Sequence, residues 1–475
     1  MMLAAALVIP AAAAALIALC DRRPNLRETI SLAAAALTFV VIMLLAPEVL
    51  QGARPRVLLG EMLPGLALVL ELEPLGLLFA LIASGLWFVS GVYSIGYMRA
   101  NAEAHQTRFY VCFALAIGCA IGVALAGNLL TLYLFYEALT LITWPLVTHH
   151  GDAEARRGGR TYLGLLLASS LLFLLPAIAI TWALGGTLEF RPGGILGGEI
   201  SGAAAAALLA LYAFGIGKAA LMPLHRWLPA AMVAPTPVSA LLHAVAVVKA
   251  GVFSIVKVIV YVFGLDFAAD AFAWLPWAAG FTIVAASVVA LRSDNLKRRL
   301  AYSTVSQLSY VVLAAAILTP LSIAGAVLHI AAHAFGKITL FFAAGAVYTA
   351  AHKTEVSQLD GLGRRMPWTF AAFGIGALSM IGLPPAAGFV AKWYIVSGAA
   401  AAEHWLALGV ITASTLLNAG YFLPIVYRAF LREPDDEEHG EAPWTMVAAL
   451  LATAALTIVM FFWADLPLAL ARTVA

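Results

Sequence analysis

Apolar runs long enough to cross a membrane alternate with short polar links along almost the whole chain. They fall at approximately 2–20, 29–46, 75–96, 108–126, 129–148, 161–184, 203–222, 237–263, 272–291, 300–318, 321–350, 369–399, 405–430 and 443–468. About 20 apolar residues suffice for one helical crossing. The pattern therefore predicts an all-α polytopic membrane protein of about 14 transmembrane helices, a single transmembrane domain over 1–475. The first run lacks a positive n-region, and Ala18-Leu19-Cys20 is a poor lipobox because Leu precedes the cysteine. A retained span is expected there rather than a signal peptide.

Charge orients the chain. The odd-numbered links hold 18 Lys and Arg, the even-numbered links and the C-terminal tail only four. The positive-inside rule places the odd links in the cytoplasm, and an even number of spans leaves both termini on the outer side of a bacterial-type cell membrane. Composition agrees with the lipid setting, at 63% apolar, 11% charged and a mean hydropathy of +0.97, where a soluble protein carries about 25% charged residues. With a net charge of +2 and no basic clustering among aromatics, nucleic acid is not an expected partner. Cys20, Cys112 and Cys119 form no CxxC pair and have no histidine at metal spacing, so no disulfide framework, iron–sulfur site or zinc site is expected. The sequence offers no cofactor motif either, and the expected role is that of a transporter subunit with no catalytic chemistry of its own.

The cations that remain inside spans are Lys218, Lys249, Lys257, Lys337 and Lys392, five of the seven lysines and none of the 20 arginines. A buried lysine can shed its proton, whereas a guanidinium stays charged. Glu137 is the carboxylate deep in a span, with Glu71 and Glu73 at the mouth of the third. An intramembrane charge costs roughly 2.5–3.5 kcal/mol on insertion scales and marks a functional site by default.

Each group sits in a distinctive context. Glu137 lies in Leu132-Tyr133-Leu134-Phe135-Tyr136-Glu137 and is expected to face a lysine on another helix; an ion pair that served packing alone would be replaceable by apolar residues. Lys218 follows Gly215-Ile216-Gly217, with Pro223, Pro229, Pro235 and Pro237 close behind, a density that breaks the seventh helix. Such breaks are tolerated in membranes only inside protein or beside a wet cavity. Lys249 is central in the eighth span, with His243 toward one end. Lys257, eight residues on and roughly 12 Å along the same face, either snorkels to the outer surface or joins the site. In the eleventh span His329, His333 and Lys337 recur at i, i+4 and i+8, a stripe of titratable groups suited to a proton relay. The twelfth span breaks again at Gly382-Leu383-Pro384-Pro385, ahead of Lys392.

The breaks suggest a repeat. Ala-Phe-Gly-Ile-Gly occurs at 213–217 and 372–376, and spans four to eight (108–263) and nine to thirteen (272–431) contain five helices each. An odd count per unit inverts the second unit relative to the first, the plan of many transporters.

These residues resemble a known family. Phe135-Tyr136-Glu137, Gly217-Lys218, Ala234-Pro235-Thr236-Pro237-Val238-Ser239-Ala240-Leu241-Leu242-His243, the run from Asp294 to Gln307, and His333-Ala334-Phe335-Gly336-Lys337 are similar to the antiporter-like subunits of respiratory complex I, membrane-bound hydrogenases and Mrp cation/proton antiporters. The resemblance implies that Glu137 pairs with Lys218, that Lys249 is the connecting lysine, that His329, His333 and Lys337 form a hydrated link, and that Lys392 ends the second half-channel. It also implies partner subunits in a hetero-oligomeric membrane assembly, with protons and Na+ or K+ as the transported ions. One complex I subunit type carries glutamate at the twelfth-span position, and the sequence ends after the fourteenth span, so the Mrp D-type subunit is closest. Ala230 departs from the acidic residue that many relatives have after Leu228-Pro229. A redox-driven pump subunit is the alternative.

Overall fold

The computed structural model describes residues 2–63, 65–197, 200–267, 269–433 and 440–474. Its helices are α1 (Met2–Leu19), α2 (Pro24–Leu50), α3 (Pro74–Ala100), α4 (Gln106–Ala124), α5 (Leu129–Val147), α6 (Ala153–Gly185), α7 (Gly202–Gly215), α8 (Thr236–Phe263), α9 (Leu275–Arg292), α10 (Leu296–Ala316), α11 (Pro320–Ala351), α12 (Pro367–Ile381), α13 (Ala387–Ala401), α14 (Trp405–Leu431), α15 (Trp444–Phe462) and α16 (Asp465–Arg472). Among the described residues, eleven helices are long and apolar enough to cross a membrane. α7 and α12 are shorter apolar helices, because the runs 203–222 and 369–399 are each interrupted. α10 begins with Lys297, Arg298 and Arg299 in its first turn, three cations that the sequence reading assigned to a link.

Other boundaries differ for local reasons. The run 443–468 ends as a helix at Phe462; Asp465 and Pro467 then start the short, separate α16. Arg56–Leu63 and Leu66–Glu71 form an antiparallel hairpin, β1 and β2, which a search for long apolar runs passes over.

The links gather on two faces by parity. On one face the hairpin is stitched to the α4–α5 link by Gly127 N to Val69 O (2.9 Å) and Glu71 N to Leu125 O (2.7 Å), and Arg56 pairs with Glu189. On the other, Arg27 bonds Thr107 and Gln106, Leu296 N bonds Thr354 O, and Arg428 pairs with Asp360.

Two helices occupy the interior. α8 is buried along its whole length and α11 nearly so, whereas α1, α2, α6 and α14 keep most of their apolar surface outward. A helix apolar all round belongs in such a core or in lipid. α11 packs on α3, α10, α12, α13 and α15, and α8 carries π turns at Leu241–Val245 and Ile259–Phe263, irregularities frequent at functional sites. The most buried helices thus bear three of the five intramembrane lysines, together with His243, His329 and His333.

Candidate functional site

Asn128 caps α5 by accepting from Thr131 N (2.8 Å), which sets Tyr136 and Thr140, four residues apart, on one face. α7 ends at Gly215, and Lys218 sits in the tight turn Gly217–Ala219 that follows. Trp227 Nε1 holds that turn by donating to Gly217 O (3.0 Å). Gly251 allows α8 to lie directly on it, since a Cβ there would overlap the backbone of Lys218 and Ala219. Lys218 is fully buried and its ammonium donates to Tyr136 O (2.7 Å) and Thr140 Oγ1 (2.6 Å), over the Tyr136 ring.

Glu137 lies beside this site without closing on it. The charge of Lys218 and the Ser170 hydroxyl act on it, yet no ion pair joins Glu137 to Lys218 among the described residues, and its Oε1 is buried without a hydrogen-bond partner. Ser170 opens the π turn of α6. The two residues act on each other's charge and form no ion pair.

Lys249, fully buried on α8, is in direct hydrogen-bond contact with His333 Nδ1 on α11. His333 and His329 follow one another with ring centroids 6.2 Å apart, and His329 stacks on Tyr310 at 5.6 Å. Lys392 Nζ sits 4.8 Å from the centre of the same Tyr310 ring. His333 Nε2 and both nitrogens of His329 and of His243 are buried without a partner among the described residues, a costly arrangement of roughly 1–3 kcal/mol per group unless water or a proton carrier visits.

Lys337 leaves the stripe. Its ammonium turns to α10, donating to Ser303 Oγ (2.6 Å) and more weakly to Leu300 O (3.4 Å). Lys392, eleven and twelve residues beyond the carbonyls it serves, donates to Ile381 O (2.8 Å) and Met380 O (3.2 Å) at the end of α12, with Thr415 Oγ1 at 3.4 Å. The helix break supplies these acceptors, because the last carbonyls of a helix have no intrahelical partner.

Lys257 does not snorkel. It is 1% exposed, pairs with Glu73 Oε1 at 3.2 Å and donates to Ala126 O at 2.8 Å. Glu73, at the mouth of α3, is its buried cap, accepting from Leu75 N and Gly76 N and from the Tyr261 hydroxyl. This clasp ties α3, α8 and the α4–α5 link together at the face of the hairpin.

The sequence points neither to the pairing of Glu73 with Lys257 nor to Tyr136, Thr140, Ser303, Tyr310 and Thr415. The one signal available for the hydroxyls was their placement within apolar runs, three residues after Glu137 in the case of Thr140.

A family model described as NADH:quinone oxidoreductase/Mrp antiporter, TM, matches residues 126–418, a stretch that holds all these lysines and histidines. The chain belongs to this family. It is 33% identical over 394 residues to NADH-quinone oxidoreductase subunit N of Desulforudis audaxviator, covering 82% of this chain and 78% of that protein. With the D-type Na(+)/H(+) antiporter subunit of Alkalihalophilus pseudofirmus it shares 26% identity over 466 residues, 97% of this chain and 93% of that one. In fold it is similar to a chain of the Mrp complex from Dietzia sp., with a TM-score of 0.90 at 21% identity and coverage of 100% and 96%. The protein is thus a multi-pass membrane member of the antiporter-like subunits, with the family's mostly helical architecture.

Proposed function

We propose that the chain is the proton-translocating subunit, of the Mrp D type, in a multisubunit Na+(K+)/H+ antiporter. Both termini lie on the outer side of the cell membrane, and 108–263 and 272–431 act as inverted repeats, each built round a broken helix with a buried lysine. The observation that carries the reading is the run of ionisable groups across the core: half-buried Glu137, then buried Lys218, Lys249, His333, His329 and Lys392, with His243 and Lys337 flanking it. The near-complete alignment with the Na(+)/H(+) antiporter relative supports the D-type assignment.

The open state at Glu137 suggests how the run works. A carboxylate beside the Lys218 amine holds its proton there; once the carboxylate withdraws, an unpaired buried cation is costly and the proton moves on toward Lys249. Lys249 hands it to His333, and His329 and Lys392 complete the transfer across the second repeat. Lys257, clasped by Glu73, serves to hold the helices in place. Separation of one ion pair thereby becomes directed proton movement.

A second reading, a proton-pumping subunit of a complex I or membrane-bound hydrogenase type, draws on the higher identity to NADH-quinone oxidoreductase subunit N. Everted vesicles containing the full assembly separate the two. Proton movement triggered by Na+ or K+, and lost in Lys218→Ala, is the expected result; a response to NADH alone would establish the redox-driven reading.

A further inference from the structure

Glu103, His149 and His150 meet where the link after α3 approaches the link after α5. Glu103 Oε2 lies 3.4 Å from His150 Nε2 and 3.7 Å from His149 Nε2. The two histidines are not equivalent. His149 is almost wholly buried, and burial, with Arg108 beside it, holds it down at about 4, so it is neutral at physiological pH. The side chain of His150 is 40% exposed, and the Glu103 carboxylate, helped by Asp152, raises it above the usual imidazole value. His150 can therefore carry a proton near neutrality and exchange it with water.

A cavity of about 400 Å³ opens beside this pair, lined by Glu103, His150, Glu154, Lys297, Lys353 and Ala344 among others. It lies between the odd-numbered links and reaches down the seam between α8, α10 and α11. Of the three consecutive cations that open α10, Arg298 faces outward and Arg299 is spent on Ser293 O (2.8 Å) and Tyr421 O (3.0 Å). Lys297 alone of the three lines the cavity, donating to Ala234 O at 2.6 Å. It is also the one cation of the three able to release a proton.

Beyond Lys297 stands His243, fully buried in the π turn of α8, its ring 4.6 Å from Phe341 and neither nitrogen bonded to the described protein. The charges that act on His243 are those of Lys337 and Lys297. His243 and Lys249 in turn both act on His333. Along α8 this orphan imidazole falls between Thr236, which lines the cavity, and the central Lys249.

The geometry points to this cavity as the proton-uptake mouth of the chain, in which Glu103 and His150 collect a proton and Lys297 and His243 pass it to His333 and Lys249. The inference rests on the proton-translocating reading above and adds where the proton gets in: at the seam between the two repeats, reaching the axis at its middle, where Lys249 exchanges protons with Lys218 on one side and His333 on the other. Each station takes a proton on a nitrogen or oxygen lone pair as it gives one to the next, and no electrons move.

Proton flux by the complete assembly in vesicles tests it. Lys297→Met is expected to slow transport at least about tenfold. Glu103→Gln removes the charge that keeps His150 protonated, so the alkaline limb of the pH–rate profile should move to lower pH. Arg156→Gln, on the exposed start of α6, should change neither. Wild-type rates and profiles in both Lys297→Met and Glu103→Gln would overturn the mouth.

A second measurement reads the cavity without transport. Ala344→Cys, 5% exposed on α11 two turns from Lys337, is placed in a background with Cys20, Cys112 and Cys119 replaced by alanine. A small membrane-impermeant methanethiosulfonate is expected to label it from the face of the odd links. Failure to label would overturn the mouth even if transport is lost for other reasons. Normal flux in Lys218→Ala would instead overturn the translocating role and leave the labelling result standing.

Discussion

The two broken helices place a lysine in the membrane interior by opposite means. At the first break Lys218 sits in the turn itself and reaches across to a neighbouring helix, to Tyr136 O and Thr140 Oγ1, with the Glu137 carboxylate within electrostatic reach. At the second, Lys392 sits in the helix that resumes after the break and folds back onto the freed carbonyls of Met380 and Ile381; no carboxylate among the described residues acts on it. Met380 O also accepts from Gln307 and Asn418, each at 3.2 Å, so that site is a fixed cradle of dipoles. The difference teaches that a helix break alone can hold a buried amine, whereas a neighbouring acid adds a charge that can bias its protonation. In the proposed mechanism the first site switches and the second receives.

The largest effect expected from this contrast is at Lys218, where alanine should reduce proton flux to background while the assembly remains intact by gel filtration. Glu137→Gln removes the switch and leaves the amine in place, so flux should fall by at least about tenfold, the equivalent of one unit of proton affinity. A fall of the same size in Thr415→Val, at the acid-free site of Lys392, would erase the distinction. Lys257→Met should act differently, leaving Glu73 as an unpaired buried charge at a cost of about 3–5 kcal/mol; a lower unfolding temperature of the purified assembly is the readout. Smallest is the comparison of hydroxyls. Thr140→Val strips a 2.6 Å bond from Lys218 and should slow transport several-fold, while Thr415→Val, at 3.4 Å from Lys392, should stay within about twofold.

Much of this was legible in the amino-acid sequence because insertion into lipid leaves strong marks. Long apolar runs located most helices, and a lysine among them was conspicuous. Pro223 and Pro384-Pro385 announced both breaks, since proline cannot continue the backbone ladder. The spacing of His329 and His333 gave a stripe that the structure keeps as neighbouring rings. Three things were hidden. The direction in which a side chain leans depends on its neighbours, so the turn of Lys337 toward Ser303 could not be read from its place at i+8. The ion pair of Glu73 was hidden because its partner, Lys257, is far along the chain. Lys297 looked like part of a basic link, and only the packing around the start of α10 turns it inward while Arg298 stays out.

The most direct measurement is proton flux in vesicles carrying the intact assembly with Lys218→Arg beside the wild type. Arginine preserves the positive charge but cannot release its proton at any physiological pH. If the axis works by passing protons through its amines, flux falls to background with the assembly formed. Flux at the wild-type rate would mean that Lys218 supplies only a charge, and proton transfer along the lysine and histidine axis would be contradicted.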